Sequence, residues 1–418
     1  RRGPRHPVRQ RRSPRCGPAA QAVCAALVLA GLIASGRSAA AQAPAGPGTA
    51  TPGTTAPAAT AQTTGVASQV ALLGDFDYGK RTAAAQAVRR APTTQAADAL
   101  AAAVTTSADS YVRFRAFVLL TGLLDRRLED FARAALTDRN DRLRQAAYDW
   151  LAASPLPALA PRLIDVLETE QAEFVRPSLL RALAALDADP RVRTALVRET
   201  SRGLDIFRGA VIEALGLRGA TYAVDALAGV VAIDGPLRDV AALALGRIGG
   251  AQAATVLAMV HDKDKGVELT LRTAQCLADG QCDTVRGELV KAWPSSAATG
   301  IAGSAAQALS VMAERGDARA MALLVEAGIA GVRDLRDHAA VALSTVALRT
   351  PRTVLAWMVA NPGARDGVIA LLKDGFDLIE EDVAEETFYA TARATYWKAG
   401  EGSDLRAAAA LLIDGLAF

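Results

Sequence analysis

Aromatic side chains, histidine and long apolar runs are scarce in this sequence. Phe, Trp and Tyr together make up 5% of the 418 residues, so a core for a chain of this length has to be aliphatic. The three histidines, His6, His261 and His338, are too scattered to form a His-rich metal centre, and neither an HExxH nor a CxxC spacing occurs. A phosphate-binding loop, a Gly-x-Ser-x-Gly elbow and a dinucleotide fingerprint are missing too. Residues 262–266 (Asp-Lys-Asp-Lys-Gly) faintly resemble a calcium loop. A lysine stands at a ligand position, however, and no bidentate Glu follows at the required spacing. These absences argue against an enzyme, and no catalytic, cofactor or metal residue is assigned.

A basic surface is also lacking. The formal charge of +3 comes from eight arginines within residues 1–41, and without them the remainder stands at −5. A nucleic-acid partner is therefore not expected. The same 41 residues read as an export signal: an Arg-rich stretch, thirteen apolar residues at 22–34, then Ala39 and Ala41 in a small-residue cleavage pattern. Thirteen residues fall short of the roughly 20 a membrane-spanning helix needs. The chain is expected to be exported to the periplasm or beyond, with no transmembrane span after cleavage and an uncleaved anchor as the alternative. Residues 42–68 are Pro, Ala, Thr and Gly without charge and read as a flexible linker.

What the chain has in quantity is Ala, Leu and a repeat. Hydrophobic residues make up 51% of it. Leu120, Leu151, Leu183, Leu215, Leu245, Leu277, Leu309 and Leu343 follow one another at intervals of 30 to 34 residues. A small residue succeeds each: Thr121, Ala152, Ala184, Gly216, Gly246, Ala278, Ser310 and Ser344. Eight positions earlier stands an apolar residue, and next to it usually an arginine: Arg113, Arg144, Arg176, Arg208, Arg238 and Arg336, with Thr270 and Ala302 in two units. Positions two turns apart share a helix face, so the leucines and their apolar partners form a buried stripe. The small residue allows a neighbouring helix close. Acids just before the arginines (Asp141, Glu173, Asp205, Asp234) suit a helix N-terminus, and acid and arginine could pair along a stack. Gly216, Gly219, Gly249, Gly250 and Gly266 read as helix stops.

The motif apolar–Arg, then Ala–Leu–Gly two turns on, is carried by residues 237–246 and 207–216. It resembles the HEAT-repeat family, in particular short bacterial repeats related to the phycobilin lyases. The tetratricopeptide signature is absent. The likeness covers about residues 105–345 and, more weakly, 70–104. It implies an all-α fold, an α-solenoid of about eight to nine helix–turn–helix repeats over residues 69–349, with a helical cap over 350–418. A stacked array offers a concave surface for a protein or peptide partner. A protein-binding scaffold of the periplasm or cell envelope is therefore the expectation. A structural envelope component, or a lyase-like, chromophore-handling protein, is the alternative.

Two further features bear on binding and stability. Aromatics gather after residue 350, and Trp357, Tyr389, Tyr396 and Trp397 are candidates for partner docking, with a sealing cap as the plainer reading. An acidic run, Glu380-Glu381-Asp382 and Glu385-Glu386, lies among them. Cys276 and Cys282 are expected to pair, because export places them where disulfides persist.

Overall fold

A computed structural model describes residues 58–329, 333–379, 382–416 and 418. The export-signal reading of residues 1–41 lies outside these. Among the described residues there are 22 α-helices and no strand. In chain order they are α1 Ala58–Leu72, α2 Tyr78–Arg90, α3 Thr93–Thr106, α4 Ser110–Leu123, α5 Leu128–Ala135, α6 Asp141–Ala153, α7 Ala160–Thr169 and α8 Arg176–Ala184. There follow α9 Pro190–Glu199, α10 Asp205–Arg218, α11 Val224–Val231, α12 Arg238–Ile248, α13 Gly250–Leu257, α14 Lys265–Asp279 and α15 Asp283–Ala292. The last seven are α16 Ala302–Glu314, α17 Ala318–Ile329, α18 Arg333–Arg349, α19 Pro351–Ala360, α20 Arg365–Ile379, α21 Asp382–Lys398 and α22 Asp404–Gly415.

From α4 onward the helices alternate between two layers. The eight repeat leucines sit on α4, α6, α8, α10, α12, α14, α16 and α18, and each is at most 4% exposed. Each of these first helices packs along the next one in the series, and α18 packs in turn on α20. The second helices, α5 to α19, pack on first helices but touch one another little. Tight contact in one layer and splaying in the other curve the stack, with first helices inside. The molecule is an all-α solenoid of helical repeats.

The small residue after each leucine explains how the inner helices approach. A Cβ at Gly216 would lie 2.6 Å from the Cα of Ala244, and one at Gly246 would lie 2.8 Å from the Cα of Ala274. Ser310 makes the same approach with its hydroxyl, which donates to the Ala342 carbonyl at 3.2 Å. In each case the partner is the first helix of the next unit. Gly219 ends α10 with φ 64°, a left-handed turn that glycine adopts without strain. Gly266, expected to be a stop, instead lies in the first turn of α14, where Asp264 accepts its amide proton.

The repeat arginines form a regular ladder. Arg144 donates to the Asp138 carbonyl beyond the end of α5, and reaches Glu170, beyond the end of α7, at 2.9 Å. Arg176 repeats this with the Glu170 carbonyl at 2.9 Å and Glu199 at 2.8 Å. Arg113, Arg208 and Arg336 donate likewise to the carbonyls of Ser107, Thr200 and Gly328. Each side chain thus satisfies carbonyls that the preceding helix end leaves without an intrahelical partner, and its charge suits that negative end. The preceding acids do not act as caps. Asn140, not Asp141, accepts the Arg142 amide, and Asp141 and Asp205 pair instead with Arg144 and Arg208 at 2.7 and 2.9 Å.

Both ends of the array differ from the sequence reading. Residues 58–68, assigned to the linker, belong to α1; Val66 among them is buried, as are Val70 further along α1 and Leu73 just after it. The repeat also runs past residue 349. Arg365 on α20 caps the Met358 carbonyl at 2.9 Å as the ladder arginines do, and Gly375 lies against Ala340 and Ser344 of α18. The chain then turns back. Helix α21 packs on α22 and on α4, and also touches α6, α18 and α19. The first and last parts of the stack are thereby joined.

Candidate protein-binding surface

A partner was expected on the concave side, yet the protein's own side chains bridge that side. Arg349 of α18 pairs with Glu213 of α10 across 136 positions of sequence and with Glu314 of α16 at 3.0 Å. Glu314 also meets Arg247 of α12 at 3.3 Å. Burial alone would raise the Glu213 carboxyl, but Arg349, Arg247 and Arg181 outweigh it and hold the carboxyl below its ordinary range. Burial and the neighbouring Arg349 lower Arg247. Arg315, at the end of α16, donates to the Gly246 and Leu277 carbonyls at 3.0 and 2.9 Å. The inner side is thus internally neutralised and cross-braced.

The edge formed by the loops between units is different. Phe174, Leu204, Ile233 and Met259 lie in four consecutive loops that lead from a second helix to the next first helix, and they are 36, 62, 64 and 72% exposed. All such loops lie on the same edge of a solenoid, and neighbouring helices pack about 8–10 Å apart. The four side chains therefore make a row. Two shallow grooves of ≈ 370 and ≈ 340 Å³ accompany it. Leu167, Glu168, Arg176, Leu204 and Phe207 line the first. Ala232, Arg238, Val256, Met259 and His261 line the second. The floor of the first is pre-formed: the Arg176 guanidinium lies 5.2 Å from the centre of the Phe207 ring, and its hydrogen bonds are made within the protein. Grooves of this size, at the lower end of ligand pockets, suit side chains of a partner better than an enclosed small molecule.

The opposite edge carries the turns within each unit. There the positive-φ residues Leu124, Gly219, Gly249, Gly280 and Gly316 make tight connections, and Leu124 is the large apolar residue most exposed on that edge.

The four aromatics singled out for docking are not equivalent. Tyr389 is 4% exposed, packed with its ring 5.2 Å from that of Phe418, so it belongs to the core and cannot anchor a partner as placed. Tyr396 is half-buried beneath the Arg406 guanidinium, 4.6 Å from the ring centre, and Trp357 is half-buried against the core. Trp397 alone of the four is exposed, at 69%. The Cys276 and Cys282 sulphurs are bonded to one another where α14 ends and α15 is about to begin. Among the described residues no helix is long and apolar enough to cross a membrane.

The sequence held a signal for the loop row that periodicity does not pick out. Large apolar residues stand beside turn formers between helices, as in Gly203-Leu204 and Ile233-Asp234-Gly235. A residue outside every helical stripe has nothing in its own unit to cover it.

No protein-family model matches the chain, and no curated protein matches it. Solved structures do. An engineered protein is similar over 84% of this chain and 98% of its own length, at 15% identity and a TM-score of 0.25. A mutant of Kap121p is similar over 85% of this chain and 53% of its own, at 11% identity and a TM-score of 0.37. Human deoxyhypusine hydroxylase in complex with glycerol is similar over 68% and 96%, at 20% identity and a TM-score of 0.28.

Proposed function

We propose that this chain is an exported HEAT-type scaffold that binds another protein in the periplasm or cell envelope, and does so along the inter-unit loop edge. One observation supports the reading above others: Phe174, Leu204, Ile233 and Met259 present an apolar side chain from each of four successive loops. Single exposed apolar residues are ordinary on any protein surface. A row of them rising beside grooves is the arrangement found at interfaces, where a few large apolar anchors enter pockets and polar groups rim them. Glu168 and Arg202 at the first groove and Arg238 at the second provide such a charged rim.

The test is a photo-crosslinking amino acid placed singly at Leu204 and at Met259, with Arg133 on the surface of α5 as the control. A discrete adduct of the same mass from both edge positions, absent from the control and lost when Phe174 and Ile233 are both changed to serine, is the expected result. Equal labelling from all three positions would remove the support for a specific edge.

A further inference from the structure

Helix α4 is buried without interruption over residues 116–122. Inner helices of this stack are enclosed by the first helices on either side, as α12 is over residues 241–246. Around α4 the enclosure includes α21. Its Asp382 pairs with Arg115 of α4. Its Glu386 takes Arg89 of α2, with the Arg89 Nε donating at 3.3 Å. Tyr389 donates its hydroxyl to the Arg89 carbonyl at 3.5 Å, and Arg393 donates to the Thr93 hydroxyl at 2.5 Å. Residues 382, 386, 389 and 393 follow the i, i+4, i+7, i+11 spacing of one helix face.

The receiving side is shaped for this contact. A Cβ at Gly122 would lie 2.5 Å from Glu386 Oε2, so glycine is what lets the carboxylate reach the α4 backbone. Among the described residues, the carboxylates that pair with Arg89 and Arg115 are both on α21. These two arginines belong to neither the ladder nor the inner network. An amphipathic helix held by periodic anchors in a groove is a recurrent mode of peptide recognition.

We infer that the cleft formed by α2, α4 and α6 is a binding site for an acidic amphipathic helix of a partner protein, carrying carboxylates four residues apart and an aromatic residue three further on, and that α21 occupies this site in cis. The inference rests on the reading of the chain as a protein-binding scaffold, but it concerns a different surface from the loop edge. A tethered helix competes at an effective concentration of about millimolar, so the cleft opens to a partner only when α21 is displaced or outcompeted.

The experiment uses the full chain and a fluorescent synthetic peptide of residues 382–398 as the partner helix. In the chain carrying Asp382→Asn and Glu386→Gln together, the cis helix is weakened while Arg89 and Arg115 stay. By fluorescence anisotropy this variant should bind the native peptide at least tenfold more tightly than the unaltered chain does. A peptide with the same two replacements should bind neither. Equal binding of the native peptide by both chains, or no binding by a variant whose α21 amides exchange freely, overturns the proposal. Should the variant lose its helical circular dichroism, the unaltered chain decides. Excess native peptide must then raise hydrogen exchange in α21 while residues 116–122 stay protected, and unchanged exchange overturns the proposal. Peptide binding without a crosslink at Leu204 and Met259 would separate this site from the edge reading.

Discussion

The central units and the α21 contact hold the same chain together by opposite means. Between α10 and α14 the inner helices meet through Gly216 on Ala244 and Gly246 on Ala274, with no charge at the point of closest approach. Where α21 meets α2 and α4, two carboxylates, two arginines and the Tyr389–Phe418 aromatic pair make the contact. The first arrangement is local and repeated, so its stability is a sum of similar nearest-neighbour terms. The second is made once, between residues 297 positions apart in the case of Arg89 and Glu386. A repeat can lose one joint and keep the others. The α21 contact has no second copy, and its chemistry is the kind that fails sharply when one partner is removed.

Breaking each side of this comparison gives predictions of decreasing size. Glu386→Ala leaves Arg89 buried without its carboxylate, which costs about 3–5 kcal/mol of the contact. Hydrogen exchange should rise in α2, α4 and α21 and stay unchanged in α10 to α14. A uniform rise would show the two regions to be one cooperative unit. Leu245→Ala removes a fully buried side chain from α12, at about 2–5 kcal/mol. Its signature is the reverse: urea should release α10 to α14 early while the peptide 382–398 still binds no better than before. Gly246→Ala forces a methyl group to within 2.8 Å of the Ala274 backbone and should cost about 1–3 kcal/mol in the same urea titration, as overpacked cores do. A stabilisation there would mean that the approach of α12 to α14 is loose.

The repeat was legible because its information is local. A leucine, a small successor and an apolar residue two turns earlier are enough to define a buried stripe, and all eight leucines are buried. The ladder was legible only in part. The arginines recur in sequence, but their main partners are backbone carbonyls, which every residue has, so no residue type marks them. The return of α21 was not legible at all, since Arg89 and Glu386 belong to no period. Tyr389 misled for the same reason: an aromatic beside acids suits an exposed anchor and a buried clasp equally well. Val66 and Val70 mark where composition misleads, since an Ala- and Thr-rich stretch also makes a helix once two valines on it find a core.

A finer way to separate the two regions is pH. On α21, burial pushes the half-buried Glu385 up to about 8, with Asp382 and Glu386 beside it adding to the effect and Arg115 and Arg89 opposing it. In the central stack, burial with Asp264 and Asp262 nearby lifts Asp239 to about 6. Both are acids whose folded value lies above the ordinary one, so the folded form holds the proton more tightly than the unfolded form. The stability each confers is complete in acid and is lost as pH rises through the folded value. For Asp239 the loss is over by slightly above pH 6; for Glu385 it continues to about pH 8. Between pH 6.5 and 8.5 the α21 contact should therefore loosen while α10 to α14 stay as they are. Exchange rates corrected for intrinsic pH dependence would rise in α21 and α4 alone, and Glu385→Gln should flatten that rise. If the central helices loosened in step with α21 over this range, the carboxyl of Glu385 would not be what distinguishes them.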